Sequence, residues 1–448
     1  MIVLKFGGTS VGSVENFKKV AKIVLGTPGD KVVVLSAMSG VTNTLVRISD
    51  LLKAQDREGA KLEMRTLQDK YESVARELLF SDESFDKAQV VLFKHKQLLQ
   101  SLIQEGYSSK NEKVLVAQGE VISTNLFQLY LEELQEASAL VSALDFMVID
   151  GHGEPKFPVI RERLTKILNN HPGRHIWITQ GFICRNERNE IDNLQRGGSD
   201  YTASIIGSVL DATQIQIWTD IDGMHNNDPR YVSDTFSIDE ISFYEAAELA
   251  YFGAKILHPQ SIIPAQEKNI PVLLKNTFKP ESKGTLIHNR AVTRKIRAIA
   301  AKDNITAIKI KSYRMLMAYG FLKKIFEVFE QHKTAIDMIT TSEVAVSLTI
   351  DNTSHLEQII QELKGFGNIE VDTDLSIICI AGDLAQNKKG VTAAIFNSLK
   401  DIPIRMISYG GSNYNLSFLV KTSDKTAVLN LLNEGLFAGL LERQEQLV

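Results

Sequence analysis

Two glycine pairs, each beside charged side chains, mark places in this sequence where an anion could bind. The first lies in Lys5-Phe-Gly7-Gly8-Thr9-Ser10. The apolar stretch Met1–Phe6 predicts a buried strand, and Ser13–Leu25 has the spacing of an amphipathic helix. A strand that breaks at glycines before a helix presents backbone N–H groups, which suit a phosphate. Neither the G-x-x-x-x-G-K-[ST] nor the G-x-G-x-x-G pattern is present, and an ordinary strand–turn–helix remains the alternative.

The second pair lies in Arg196-Gly197-Gly198-Ser199-Asp200, just before an apolar helix that starts near Ala203. An aspartate at a helix start is common as a cap, so Asp200 alone indicates little. Arginine adds no turn propensity, and its planar fork suits a carboxylate or a phosphate. The pair Arg196 and Asp200 therefore predicts a second anion-handling loop.

Further polar side chains follow other predicted strands. Ser36 and Thr42 come after Val32–Leu35, and Glu120 comes after a predicted strand at Lys113–Gln118, at the start of a helix. Gln214–Trp218 is followed by a long polar loop. Ligands of open α/β sheets lie outside the carboxyl ends of strands, so these loops are candidate contacts. A simple turn, or a favourable helix dipole at Glu120, is the alternative.

Alternating strands and helices must position these residues. Phe146–Asp150, His175–Gly181 and Pro271–Asn276 also read as strands, whereas Thr44–Glu105 has helical composition throughout. The alternation predicts an α/β domain with an open, mainly parallel sheet and helices on both faces.

The pattern changes near Arg297, where a βαββαβ order appears and then half repeats. The first copy is predicted from strands Ile305–Ile310, Ile336–Thr340, Val344–Ile350 and Ile369–Thr373. The second copy lacks a last strand, so we expect the spare apolar segment Lys295–Ala301 to complete its sheet. Domains are therefore predicted at 1–290, 303–374 and 375–448, the last completed by 295–302.

Composition excludes several classes of protein. The chain has 448 residues and a formal net charge of −4, which does not favour a nucleic-acid or membrane partner. Its two cysteines, Cys184 and Cys379, predict neither a disulfide framework nor a zinc site. The chain opens on a predicted strand, so we expect no targeting segment and a cytoplasmic location.

Taken in order, the motifs resemble those of the aspartokinases of the amino acid kinase superfamily, over essentially the whole chain. The resemblance is carried by Lys5-Phe-Gly-Gly-Thr-Ser10, Leu35-Ser-Ala37 with Val41-Thr-Asn43, Gln118-Gly-Glu120, Arg196-Gly-Gly-Ser-Asp-Tyr-Thr-Ala203, Trp218-Thr-Asp220, Asp228-Pro-Arg230 and Phe252-Gly-Ala-Lys255. It implies an amino acid kinase fold followed by two ferredoxin-like ACT domains. It also implies phosphorylation of the L-aspartate side chain by ATP, the first step of lysine, threonine and methionine synthesis.

The resemblance implies residue roles as well. Lys5 and Asp200 would be catalytic. Phosphate and ATP contacts would come from Lys5, Gly7, Gly8, Thr9, Ser10, Thr219, Asp220, His225, Arg230, Lys255 and Ile256. Aspartate contacts would come from Ser36, Thr42, Glu120, Arg196 and Asp200. Mg²⁺ would arrive bound to ATP, with no resident metal site. Many family members carry tyrosine where His225 stands, which leaves the adenine or ribose contact open.

The C-terminal half resembles the lysine-sensitive class. The implied allosteric residues are Met315, Gly320, Phe321, Leu322, Ile336, Asp337, Thr341 and Ser342. Helix N–H groups after Gly320 would receive an amino acid carboxylate, and Asp337 an ammonium. Ala335 replaces a family serine, which leaves threonine open as the effector. We expect a homodimer or a dimer of dimers through the ACT domains, with this site at the interface.

Two other functions remain open from the sequence. One is a kinase for another carboxylate, such as glutamate or acetylglutamate. The other is a non-catalytic amino-acid sensor that keeps a kinase fold, although intact Lys5 and Asp200 argue against it.

Overall fold

The computed structural model describes residues 1–194, 197–252, 257–290, 296–315, 319–385 and 389–445. These residues form two compact units that are each discontinuous in sequence. Unit 1 takes its described residues from Met1–Met224, Asp239–Phe243 and Leu257–Arg290. Unit 2 takes its described residues from His225–Ile238, Tyr244–Ile256 and Ala291–Val448.

Unit 1 is built on an eight-stranded sheet in the order β3-β4-β2-β1-β7-β9-β10-β8. Its strands are β1 (Ile2–Phe6), β2 (Lys31–Leu35), β3 (Ser138–Leu140), β4 (Ile176–Gln180), β7 (Gln214–Thr219), β8 (Glu240–Ser242), β9 (Val272–Asn276) and β10 (Thr285–His288). Every pairing is parallel except β9 with β10. The predicted open, mainly parallel sheet is confirmed. A separate hairpin joins β5 (Ile183–Arg185) to β6 (Ile191–Asn193).

Helices cover this sheet and form an additional helical layer. They are α1 (Val14–Gly26), α2 (Val41–Lys53), α3 (Arg57–Leu78), α4 (Asp82–Glu105), α5 (Ser109–Glu133), α6 (Ala143–Phe146), α7 (Phe157–Asn169), α8 (Gly198–Val209) and α10 (Ile263–Glu267), with a 3₁₀ turn at Pro259–Ile262. The central strands β1 and β2 are buried on both faces, as expected of parallel strands between helices. The helical character predicted for Thr44–Glu105 is confirmed by α2, α3 and α4.

One predicted strand is wrong because a helix there is buried all round. Lys113–Gln118 belongs to α5, and nearly every residue from Leu115 to Leu131 on that helix is buried. A continuous apolar run looks the same in a buried strand and in a buried helix, so periodicity could not separate them. Glu120 therefore lies inside a helix and not at its start.

Two other strand predictions also need correction. No regular strand forms at the predicted Phe146–Asp150: Phe146 ends the short helix α6 (Ala143–Phe146), and Val148 and Ile149 form only isolated bridges, to Arg185 and Pro155. A strand was also predicted at Ile336–Thr340, but the observed strand is β12 (Ile339–Thr341). At Val148 and Ile149 apolar residues are buried without a regular ladder, which composition does not reveal.

Unit 2 is organised by two long antiparallel strands, β11 (Ile296–Lys311) and β14 (Asn368–Gly382). Irregular pairing between Lys302 and Ala307 divides β11 into two halves. The half at Ile296–Lys302 pairs with Ile377–Gly382, which is the pairing predicted for this segment. Each half therefore serves a different βαββαβ copy.

The rest of unit 2 comprises the remaining elements of these two copies and one helix from an earlier segment of the chain. The remaining elements are α9 (Phe243–Tyr251, from Tyr244 onward), 3₁₀ turns at Tyr313–Met315 and Thr422–Asp424, α11 (Phe321–Gln331), β12, β13 (Ala345–Ile350), α12 (Leu356–Leu363), α13 (Val391–Asn397), β15 (Met406–Tyr409), β16 (Asn415–Lys421) and α14 (Lys425–Glu445). The sheet order is β12-β13-β11-β14-β16-β15. Each copy has its own apolar core, one around Ile325 and Phe329 and the other around Phe418 and Leu432.

The stretch His225–Ile238 is part of unit 2 and is bonded to its other elements. Asn226 accepts a backbone hydrogen bond from Ile299 of β11 (N–O 2.8 Å), and its side-chain amide donates to Asn433 of α14 (2.8 Å). Asn227 donates to the carbonyl of Leu429 (3.1 Å).

Across the described residues, every helix is too short or too polar to cross a membrane.

Candidate active site and regulatory site

The glycine loop after β1 keeps a row of backbone amides available. The amide of Gly7 donates to the carbonyl of Trp218 (3.1 Å), so it extends the sheet pairing of β1 with β7. Within the described set of backbone hydrogen bonds, none is donated by Gly8, Thr9 or Ser10. Successive free amides form an anion-binding concavity. The anion cradle stays a prediction, and its candidate donors are the amides after Gly7, since that of Gly7 is already bonded.

Lys5 and Asp200 meet beside this loop. Lys5 Nζ lies 2.6 Å from Asp200 Oδ1, and the two side chains are 11% and 15% exposed. Lys5 comes from β1, and Asp200 comes from the first turn of α8, after Gly197 in the left-handed conformation (φ 69°). Sequence analysis predicted both residues, and the structure brings them together across about 195 positions of the chain.

A cavity of about 290 Å³ lies between the loops after β1 and β2 and the start of α8, and it is lined by neighbours of this pair but by neither Lys5 nor Asp200. Its wall includes Gly8, Ser36, Thr42, Glu120 and Ser199. Ser36 donates a hydrogen bond to Ser199 (Oγ–Oγ 2.9 Å), which links the β2 loop to α8. Three of the residues predicted to contact aspartate, Ser36, Thr42 and Glu120, thus line one cavity.

Glu120 is held at this wall by tight helix packing. At the preceding residue, Gly119, a Cβ atom would lie 2.7 Å from the Ala37 Cβ. Only glycine at this position therefore lets α5 pack this closely against the loop after β2. The backbone amide of Ala37 hydrogen-bonds to the Glu120 carboxyl. Burial raises the pKa of Glu120 to about 7, and these backbone hydrogen bonds oppose the shift. Glu120 is therefore poised to change charge near neutral pH.

The carboxyl ends of β7 and β9 form a second polar edge in unit 1. Thr219 donates to Asp220 (Oγ1–Oδ1 3.0 Å), and the carbonyl of Thr219 accepts from Thr277. Ser10 is fully buried, with its hydroxyl 2.7 Å from the Thr277 hydroxyl. This contact links the glycine loop to the residue that follows β9, and it occupies the Ser10 side chain.

Two residues predicted for the nucleotide, His225 and Arg230, lie in unit 2. Two nitrogens of Arg230 donate hydrogen bonds to the Asp228 carboxylate (Nε–Oδ1 3.0 Å, Nη2–Oδ2 2.6 Å). The Arg230 side chain is 75% exposed. His225 Nδ1 lies 3.3 Å from the Thr235 hydroxyl. Three other predicted site residues, Arg196, Lys255 and Ile256, lie outside the described residues.

The predicted effector residues cluster in the first copy of unit 2. Helix α11 starts after Gly320 (φ 78°), and Phe321 at its first turn packs edge-on against Phe366. Leu322, Thr341 and Ser342 are exposed, whereas Met315 and Ile336 pack against the apolar core. Asp337 is buried, and its Oδ1 lies 2.7 Å from Lys302 Nζ. An ammonium of the protein itself already contacts this carboxylate.

The structure adds residues that sequence analysis did not single out. Ser199 and Phe182 line the cavity, and Phe182 has a positive φ of 69°. Ser199 lies inside the Gly-Gly-Ser-Asp motif, so its proximity to Asp200 was a usable signal. Nothing local in the sequence predicts the left-handed backbone of Phe182. The partners of Asp337, Lys302 and Tyr251, are also new, because they come from distant segments.

Comparisons with known proteins find similar domains in both parts of the chain. The amino acid kinase family model matches residues 1–276, and an ACT domain model matches residues 378–436. The chain is 34% identical to lysine-sensitive aspartokinase 3 of Escherichia coli, covering 98% of this chain and 99% of that one.

Two solved structures of E. coli aspartokinase III are also similar. The complex with aspartate and ADP (R-state) has a TM-score of 0.83 at 33% identity, covering 98% of this chain and 100% of that one. The complex with lysine and aspartate (T-state) has a TM-score of 0.81 at 34% identity, covering 98% and 99%. The chain therefore belongs to the amino acid kinase family, among its aspartokinases.

Proposed function

We propose that this protein transfers the γ-phosphoryl group of MgATP to the side-chain carboxylate of L-aspartate, which yields 4-phospho-L-aspartate and ADP. The observation that carries the proposal is the Lys5–Asp200 pair: Lys5 lies next to the glycine loop after β1, and Ser199, the neighbour of Asp200, lines a cavity with Ser36 and Glu120. The similar E. coli enzyme in complex with aspartate and ADP supports the choice of substrates.

The site suits this chemistry because phosphoryl transfer needs positioning and charge stabilisation more than proton transfer. The attacking carboxylate is already ionised at pH 7, so no catalytic base is required. Lys5 would neutralise charge on the moving phosphoryl group, and Asp200 orients Lys5. The amides after Gly7 would add donors that need no rearrangement. Mg²⁺ enters with ATP as part of that substrate.

The proposed contacts to aspartate divide its charges between two kinds of side chain. Arg196 would take the α-carboxylate in a bidentate pair, and the ionised form of Glu120 would face the α-ammonium. Ser36 and Thr42 supply hydroxyls at the cavity wall. On the nucleotide side we assign Thr219, Asp220, His225, Arg230, Lys255 and Ile256.

Trapping of the acyl phosphate with hydroxylamine tests the reaction. With MgATP, we expect hydroxamate from L-aspartate and little from L-glutamate or N-acetyl-L-glutamate. A preference for glutamate or acetylglutamate would identify a different carboxylate kinase. Folded protein that binds amino acids but makes no hydroxamate with any of them would indicate a sensor.

We also propose that lysine inhibits the enzyme through the first ACT copy, in a homodimer or larger assembly in the cytoplasm. Domain boundaries of 1–290, 303–374 and 375–448 fit the two halves of β11 and β14, with 295–302 completing the second copy. The lysine complex of the similar E. coli enzyme supports this effector, and threonine is the second candidate. Inhibition titrations with both amino acids, on wild type and on Asp337→Asn, test it. We expect lysine to inhibit wild type only.

A further inference from the structure

The carboxylate assigned to the effector's ammonium is enclosed by the protein's own donors. Asp337 Oδ1 accepts from Lys302 Nζ (2.7 Å) and from the Tyr251 hydroxyl (2.9 Å). The Asp337 side chain is only 1% exposed. Its other oxygen, Oδ2, is buried and accepts no hydrogen bond from the described part of the chain. An incoming ligand would therefore meet a carboxylate that is already occupied on one side and closed to solvent.

Lys302 is held there as a bound ammonium would be. Its Nζ also lies 2.9 Å from Asp351 Oδ2 and 4.6 Å from the centre of the Tyr251 ring. Two carboxylates and an aromatic face make a favourable environment for a cation. Burial lowers the pKa of Lys302, but its hydrogen bonds to Asp337 and Asp351 outweigh that effect and raise the pKa overall. The side chain is charged at neutral pH.

Tyr251 connects this cluster to a segment that is not part of either ACT copy. It is the last residue of α9, which lies in the stretch of chain matched by the kinase family model. Burial and the neighbouring charge of Asp337 raise the pKa of Tyr251, so its hydroxyl stays protonated and donates. Elsewhere on α9, Tyr244 stacks on Tyr414 of the second copy, with ring centres 5.0 Å apart.

We propose that Lys302 is an internal competitor for the effector's ammonium at Asp337, and that exchange of the two ammonium groups releases Tyr251 and so changes the contacts of α9. This inference rests on the proposed role of Asp337 as the effector's anion. Oδ1 already accepts hydrogen bonds from Lys302 and Tyr251, so the ammonium of a free amino acid can bind this oxygen only by replacing one of them, and Lys302 carries the same group. Effector affinity would then be set by the cost of expelling Lys302.

Calorimetric titration with L-lysine tests this competition directly. Lys302→Met removes the competitor, so we expect the dissociation constant for lysine to fall about tenfold or more. Lys302→Gln keeps a donor without the charge, and we expect a smaller change in the same direction. Lys309→Met is the matched control, because Lys309 lies on the same strand with only a distant partner, Glu370 at 3.9 Å, and should bind lysine like wild type.

The outcomes separate this inference from the proposed regulation. Weaker or unchanged binding in both folded Lys302 variants would overturn the competition and leave lysine regulation standing. Wild type that binds no lysine would contradict the proposed regulation. Lysine binding that appears in Lys302→Met but not in wild type would still support the competition. If no variant binds lysine, both ideas fail.

The role of Tyr251 has its own readout. Tyr251→Phe should leave kcat without effector unchanged and should tighten lysine binding, while the inhibition produced at saturating lysine becomes smaller. If Tyr251 were only structural, its replacement would not tighten lysine binding while reducing the inhibition at saturating lysine. Equal inhibition at saturation in Tyr251→Phe and wild type would remove Tyr251 from the account.

Discussion

The Lys5–Asp200 pair of unit 1 and the Lys302–Asp337 pair of unit 2 use the same side chains at nearly the same separation, 2.6 and 2.7 Å. Their surroundings differ. Asp200 is on the first turn of a helix beside an open cavity and retains 15% exposure, whereas Asp337 is 1% exposed and shares its oxygen with Tyr251. In the proposed function, the first pair acts on its substrate without rearrangement, whereas a ligand of the second pair would have to replace one of the contacts to Asp337.

This difference shows why an ion pair alone does not identify an active site. Both aspartates anchor a lysine in a partly buried position, where the pair is screened less than on the surface. In unit 1, no backbone hydrogen bond donated by Gly8, Thr9 or Ser10 is found among the described residues, so these amides are candidate donors near the pair. In unit 2, the neighbouring donors Lys302 and Tyr251 are already directed at Asp337.

The largest effect that would test this comparison is on turnover. Lys5→Met should lower kcat by about 10²–10³, because one preorganised charge contact to the transferred group is lost. Lys302→Met should keep kcat without effector near that of wild type. Hydroxamate assays on both variants, with thermal denaturation to show that each is folded, check the contrast. Near-normal turnover in folded Lys5→Met would contradict the catalytic role.

A second test concerns the packing that holds the cavity beside the first pair. In Gly119→Ala the new methyl group would lie 2.7 Å from Ala37 Cβ and 3.2 Å from Val41 Cγ1. Such overpacking should lower the free energy of unfolding by about 1–3 kcal/mol and raise the KM for aspartate. Gly26→Ala is the control, because its Cβ would have no atom within 4 Å. If urea denaturation gives the two variants the same free energy of unfolding, this packing argument is contradicted.

A third test uses the charge of Glu120, whose pKa burial raises to about 7. Between pH 6 and pH 8 the ionised fraction rises from roughly one tenth to roughly nine tenths. If the carboxylate holds the aspartate ammonium, KM for aspartate should fall about tenfold as pH rises over this range. Glu120→Gln should abolish that dependence and keep a high KM throughout. A steep pH dependence that persists in Glu120→Gln would assign it to another group.

Much of unit 1 could be predicted from its sequence because local signals agree there. The β-branched strands Ile2–Phe6 and Lys31–Leu35 end at small polar residues, and α8 starts at a glycine pair. These features place Lys5, Ser36 and Asp200 at one edge of a parallel sheet. The error at α5 arose because a helix buried on every side loses its periodicity.

The surroundings of Asp337 could not be predicted because its partners are far apart in sequence. Tyr251 ends a helix 86 residues earlier, and Lys302 lies at the irregular midpoint of a strand that serves two copies. No spacing rule connects these positions. Sequence resemblance predicts that Asp337 is an anion for a ligand, but only the fold shows that Lys302 contacts its carboxylate.

The smallest expected effect concerns the hydroxyl that distinguishes the second pair from the first. Tyr251→Phe removes one hydrogen bond to a carboxylate, and we expect the free energy of unfolding to fall by about 1 kcal/mol, since the ring is partly exposed. Lys302 still holds Asp337 in this variant, so the loss should stay small. Tyr244→Phe on the same helix is the control, because within the described residues no hydrogen bond is recorded for its hydroxyl, and it should match wild type. Chemical denaturation at pH 7 measures both. A loss in Tyr244→Phe as large as that in Tyr251→Phe would mean that Asp337 gains nothing specific from its tyrosine, and the two aspartate–lysine pairs would then differ only in burial.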